Sequence, residues 1–269
     1  MSYVLLLIVI TVSNVKSSEL KKFTISNYTE KVHPAPLIED RFTELKGNIT
    51  NNFKLRNGVT SPFYQWEGGI IPYEIRGSFS NHELHILELA KSMYLKYTCI
   101  QLIPRTTQDV YLTFNNLGPL DCVSSSVGKS GTNNHIWLNH EGCFNGVALL
   151  VHELMHVVGF FHEHSRYDRD SYVTILWNNI QFNQRHNFQI QAGVTYGLPY
   201  DYDSLTHYAP YSYSGNNEWT IIPKDMNYLN RIGQRIGFSK LDITKINIMY
   251  NCPDKTNQLN LQDGYIYQL

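Results

Sequence analysis

Residues 152–164 read HELMHVVGFFHEH, which sets four histidines and two glutamates within thirteen positions. His152 and His156 are four residues apart, so on a helix they differ by about 40° and both imidazoles reach one ion. His162 lies six residues past His156 and would sit on the wrong face of a continued helix. Gly159 lets the backbone turn left-handed and leave the helix, after which His162 comes back to the same point. The run therefore predicts a helix that stops at Gly159 and a fold that closes around three histidines.

A catalytic zinc site takes three protein ligands and keeps one position open, whereas a structural site closes the fourth with protein. Glu153 follows His152 directly, which aims its carboxylate at a metal-held water rather than at the metal. Zinc lowers the pKa of such a water towards about 7, and a carboxylate there can accept its proton. The expected cofactor is thus one catalytic Zn2+, and Glu153 is its general base. Three core histidines at these intervals, with a glutamate and a glycine also in place, would be a demanding coincidence. HELMHVVGFFH fits HExxHxxGxxH, the metzincin zinc signature.

The rest of the chain suits one sizeable domain with appendages: 269 residues, 42% of them hydrophobic. A net charge of −1 argues against capture of nucleic acid or an anionic membrane. Nineteen tyrosines and scattered Gly, Asn and Ser suit many ordered loops rather than a helical bundle. An apolar run from Val4 to Val12 is too short to span a bilayer but fits a signal-peptide core, with cleavage near Ser17. The segment before it has no basic residue. Sequons at Asn27 and Asn48 and four cysteines agree with export. The cysteines form no CxxC pair, so two disulfides are expected, and spacing alone leaves three pairings open.

Residues 18–56 are charged and aperiodic, with HPAP at 33–36 breaking any helix, and read as a connector or prosegment. GGIIPYEI (68–75) reads as a strand. Ser80 to Tyr97 reads as a helix with a Ser80–Glu83 capping box and Leu84, Leu87 and Leu95 on or near one face. Strands are expected at 99–103, 110–114 and 135–139. Asn145 is placed to cap the metal helix from about Gly146 to Val158. Residues 165–237 read as long ordered loops, and a last helix is expected from about Ser239 to Tyr250. Residues 253–269 make a short polar tail.

HELMHVVGFFHEHSRYDRD (152–170) closely resembles the extended zinc motif of the astacin family, HExxHxxGxxHExxRxDR. PRTTQD (104–109), YDYDSLTHY (200–208), TIIPKD (220–225), GQRIGFSKLDITKIN (233–247) and IMYNC (248–252) look like astacin segments in the same order, so the resemblance covers about 57–252. It implies an α+β zincin fold of the metzincin type. An N-terminal subdomain would hold a twisted mixed sheet and two long helices. A C-terminal subdomain would be mostly loops with a final helix, and the active-site cleft would lie between the two. It implies a secreted zinc endopeptidase, made as a zymogen and monomeric, that binds a protein or peptide substrate extended in the cleft beside an edge strand near Cys122 to Val127. Its other implied partner is its own propeptide. His152, His156 and His162 would bind zinc, Glu153 would be the base and Tyr208 would steady the oxyanion. The pairs Cys99–Cys252 and Cys122–Cys143 are implied as disulfides. Glu163 would meet the new N-terminus once the chain is cut between Arg56 and Asn57. His164 receives no role.

Two positions depart from the family pattern. SLTHY puts Thr206 where methionine usually floors the zinc site; threonine is shorter and a buried hydroxyl there needs a partner, so a cost of about 1–3 kcal/mol in stability or affinity, without loss of chemistry, is expected. LKGNI (45–49) puts Asn48 where an inhibitory aspartate is usual, and asparagine is a much poorer zinc ligand. They motivate a rival reading: a secreted protein that keeps the fold and binds zinc but is catalytically silent.

Overall fold

A computed structural model describes residues 58–116, 122–131, 134–140 and 142–253. The expected signal peptide, the prosegment with Asn27, Asn48 and Arg56, the adjoining Asn57, and the tail beyond Pro253 lie outside the described residues.

A five-stranded sheet, ordered β2-β1-β3-β5-β4, forms the first half. Strands β1 (Ile70–Arg76), β2 (Gln101–Pro104), β3 (Leu112–Asn115) and β5 (Asn134–Trp137) run parallel, and β4 (Val123–Ser124) pairs antiparallel at the edge. Helix α1 (Asn81–Tyr97) starts at Ser80, whose side chain and that of Glu83 form both halves of the capping box. Its buried stripe runs through Glu83, Ile86, Leu87, Ala90, Met93, Tyr94 and Tyr97. Leu95 is exposed, against expectation, because eight residues past Leu87 is about 80° further round the helix. Side chains of β1, β3 and β5 (Ile71, Leu112, Phe114, Ile136) join those of α1 and of α2 (Val147–Val158) in one core.

The second half has little regular structure. Short 3-10 turns surround a two-stranded antiparallel sheet of β6 (Val173–Ile175) and β7 (Ile221–Pro223). A separate aromatic-rich core there includes Phe188, Tyr200, Tyr208 and Tyr213. Helix α3 (Lys240–Met249) is started by a Ser239–Asp242 capping box and sends Ile243, Ile246 and Met249 into the first core. Cys99 is joined to Cys252 across 153 residues, and Cys122 to Cys143 across 21.

Helix α2 is tied down at its end by distant parts of the chain. The last four carbonyls of a helix have no partner within it. Here Gly159 N–H and Phe160 N–H donate to the Met155 carbonyl, and Gly128 N–H donates to that of His156. The Trp66 indole donates to the Val157 carbonyl (2.8 Å) and the Tyr250 hydroxyl to that of Val158 (2.6 Å). At its start the cap position belongs to Gly146, which has no side chain to cap with, rather than to Asn145.

Candidate metal centre

Helix α2 carries His152, Glu153 and His156 into the interior, where all three are buried. Gly159 ends it with φ +128°, and the chain turns through Phe160 to bring in His162. The ligand nitrogens of His152, His156 and His162 all lie within 4.8 Å of one another. The three imidazoles that the spacing predicted are thus gathered at one point, and the buried Glu153 directly follows the first of them along the helix.

Backbone carbonyls set how two of the rings are protonated. His152 Nδ1–H donates to the Leu205 carbonyl (2.8 Å), and His156 Nδ1–H donates to that of Phe160 (2.7 Å). A carbonyl only accepts, so each neutral ring keeps its lone pair on Nε2. Those Nε2 atoms face each other at 3.0 Å. Two lone pairs at that distance repel unless a cation lies between them. Zinc with Zn–N bonds of about 2.0–2.1 Å sets tetrahedral ligand nitrogens about 3.3 Å apart, so the donor set fits it. Among the described residues the metal-holding group consists of these three histidines, the ligand count of a catalytic rather than a structural site.

Tyr208 stands beside this group, its ring centroid 4.4 Å from that of His162. Its backbone is held through His207, whose Nδ1–H donates to the Tyr208 carbonyl (2.7 Å) while Nε2 accepts from the Tyr200 hydroxyl (2.7 Å). Burial lowers the His207 pKa to about 4, so the ring stays neutral and the tautomer is fixed. His164 is fully buried, and burial first, then the neighbouring His162 and His207, keeps it well below the usual histidine range.

Thr206 is completely buried, and its hydroxyl has a partner. Ser204 Oγ donates to Asp242 Oδ1 (2.7 Å) and accepts from Thr206 Oγ1 (3.0 Å). Leu205 N–H donates to Asp242 Oδ2 (2.8 Å), so α3 anchors the loop whose Leu205 carbonyl orients His152. The penalty expected for Thr206 rested on a shorter side chain and on a buried hydroxyl in need of a partner, and this network supplies the partner.

Glu163 is also fully buried, but its carboxylate is not simply waiting for a cation. Oε1 accepts from Arg166 Nη1 and from Asp201 N–H (both 2.9 Å), and Oε2 accepts from Lys245 Nζ (3.0 Å). Burial pushes its pKa up, but Lys245 and Arg166 outweigh burial and hold it below the usual value. A small pocket beside the pair is lined in part by Val194, Thr195 and Leu198. Gly58, which follows the expected cleavage point, pairs with Val194 through N–H to O bonds of 2.9 and 2.6 Å. Lys245 was not foreseen as part of this site. The only sequence trace of it is a lysine on the apolar face of the last helix, three residues after Asp242.

Comparisons with known proteins agree with this geometry. The family profile described as Astacin, a peptidase family, matches residues 58–251. Zinc metalloproteinase nas-8 of Steinernema carpocapsae is 40% identical over 201 residues, which is 74% of this chain and 47% of that protein. Zinc metalloproteinase nas-4 of Caenorhabditis elegans is 35% identical over 242 residues, covering 86% of this chain and 71% of that protein. In structure, high choriolytic enzyme 1, a hatching enzyme zinc-protease from Oryzias latipes, aligns with a TM-score of 0.68 at 34% identity, covering 73% of this chain and all of that one. The match spans about half the length of several of the curated relatives, 47% and 44% in two of them. With the sequence profile, the fold and the gathered histidines in agreement, the chain belongs to the astacin family of peptidases.

Proposed function

We propose that the chain is a secreted, zinc-dependent endopeptidase that is made as a zymogen. The observation that carries the reading is the convergence of three buried imidazoles, two of them on helix α2 with Nδ1 fixed by carbonyls, where the buried Glu153 directly follows the first. When bound, zinc supplies Lewis acidity, making a water acidic and a carbonyl electrophilic. Glu153 takes a proton from the attacking water and returns it to the leaving amine nitrogen. Tyr208, beside His162, donates its hydroxyl to the oxyanion as the carbonyl becomes tetrahedral. Strand β4 is a sheet edge, and an extended protein or peptide substrate would add to it as a further strand.

Export is supported by the apolar run at Val4–Val12 and by the two disulfides. Processing between Arg56 and Asn57 would release an ammonium next to Gly58, which is tied to the rim of the Glu163 pocket. The new charge would there join Lys245 and Arg166 around one carboxylate. Among the described residues no helix is long and apolar enough to cross a membrane.

Zinc analysis together with cleavage of a mixed peptide library tests the reading. Wild type is expected to bind about one zinc per chain and cut the library. Glu153→Ala is expected to keep the zinc and lose about 10²–10⁴ in rate, the usual contribution of a general base. Zinc bound by a wild-type protein that cuts nothing, even after processing, would support the silent zinc-binding protein instead. N-terminal sequencing of the secreted product checks the Arg56–Asn57 cut.

A further inference from the structure

We propose that His164 is a positioning residue for Tyr208, its flat face fixing the plane in which the phenol meets the His162 side of the metal centre. This rests on the reading of Tyr208 as the oxyanion donor. The His164 and Tyr208 rings are stacked, with centroids 3.9 Å apart and planes at 27°. The same Tyr208 ring is 4.4 Å from His162, and the His162 and His164 rings are 5.5 Å apart, so the tyrosine packs in the corner that a candidate ligand and His164 make with each other. Phe188 meets it edge-on at 5.6 Å, and Tyr213 packs against it at a tilt of 49° with centroids 5.5 Å apart. A flat ring laid against another limits how far it can tilt but lets it slide in its own plane. A tyrosine whose hydroxyl must meet charge that appears only during the reaction benefits from that constraint, because its approach is reduced to one plane.

His164 is itself held rigidly. Its Nε2–H donates to the Asn187 carbonyl (3.1 Å), and its own carbonyl accepts from Arg169 Nη1 (3.0 Å), which also donates to the Phe188 carbonyl (2.9 Å). The remaining nitrogen, Nδ1, is buried and makes no hydrogen bond. A histidine kept only for polar contacts would use both nitrogens, whereas this one uses a single bond to set the angle of its face.

The test compares ring-keeping and donor-keeping replacements in the zinc-loaded protein acting on a fluorogenic peptide from the library. His164→Phe keeps the face and loses the donor; His164→Gln keeps the donor and loses the face. The Gln variant is expected to lose about tenfold in kcat with KM within about twofold, and Phe to keep most of the rate. In a Tyr208→Phe background, His164→Gln is expected to cost nothing further. A second readout does not depend on turnover. The Tyr208 ring protons, assigned by their loss in Tyr208→Phe, are expected to lose the share of their ring-current shielding that the stacked His164 ring supplies in His164→Gln and to keep it in His164→Phe. If the Gln variant does not fold, His164→Leu, which keeps apolar volume without a flat face, takes its place with the same expected losses. Losses from Tyr208→Phe and His164→Gln that multiply, or equal rates for face-keeping and face-lacking variants, would overturn the positioning role alone. A Tyr208→Phe enzyme as fast as wild type would overturn both it and the reading of Tyr208.

Discussion

Replacing Lys245 with methionine probes the charge cluster behind the third histidine. The ammonium lies 3.0 Å from Glu163 Oε2 and 3.1 Å from Asp242 Oδ1, and all three side chains are buried. Breaking a buried ion pair by removing one partner costs about 3–5 kcal/mol, because the other charge is left without compensation. Arg166 still donates to Glu163 Oε1 and methionine replaces most of the lysine stem, so about 3 kcal/mol is expected near neutral pH. For a domain of this size that is a fall in Tm of about 6–12 °C. The pH dependence is more diagnostic. In wild type the Glu163 pKa is lowered in the fold, so its contribution is present above the unfolded value and lost as pH falls through the folded one. Without Lys245, only Arg166 and the Asp201 N–H oppose burial, and the Glu163 pKa is expected to rise above its unfolded value. The variant then loses stability as pH rises through that higher value. Its deficit against wild type is therefore expected to be larger at about pH 8 than at about pH 5. Thermal unfolding followed by circular dichroism, with the disulfides kept oxidised, measures it. A deficit under about 1 kcal/mol, or one equal at both pH values, would refute the argument that Lys245 is what keeps Glu163 ionised.

Three further outcomes are expected. Thr206→Met should lower thermal stability by about 1–3 kcal/mol, because a longer side chain must enter a sealed site and Ser204 loses the Thr206 hydroxyl as a donor; a higher Tm would restore the view that Thr206 is a defect. Asp201 has its pKa raised to about 8, by burial first and the Asp242 charge next, so it should make stability fall as pH rises from about 4 through about 8. Asp201→Asn should flatten that slope in melts taken across the range, and an unchanged slope would mean the proton is held elsewhere. Replacing both Cys99 and Cys252 by serine frees a 153-residue loop and should cost about 5 kcal/mol, against about 3 kcal/mol for the 21-residue loop of Cys122–Cys143, as compared by denaturant unfolding.

Features written locally were legible in the sequence. The helix through His152 and His156, its stop at Gly159 and the capping box at Ser80 each depend on residues within one or two turns of each other, and periodicity finds such signals. Elements recorded by backbone atoms or by distance were not. The carbonyls of Leu205 and Phe160, which set the protonation of two histidines, leave no mark in side-chain identity. Lys245 meets Glu163 from 82 residues away, so neither residue hints at the other. The partner of the Thr206 hydroxyl could not be seen in the sequence, because the Ser204 and Asp242 contacts exist only once α3 is docked. The placing of Leu95 and Asn145 failed more simply, on a helical angle and on one residue of register.

The capping of α2 bears on how such a chain is made. The helix that holds two of the three histidines closes its final turn with Trp66, 91 residues before its acceptor, and with Tyr250, 92 residues after its own. During synthesis from the N-terminus, His152, His156 and His162 therefore leave the ribosome well before the hydroxyl that completes their helix. A domain assembled through contacts of this range gains little from its early segments alone. The metal site should thus become rigid only after the segment with Tyr250 has been made, and zinc capture should follow that segment rather than accompany the emergence of the three histidines.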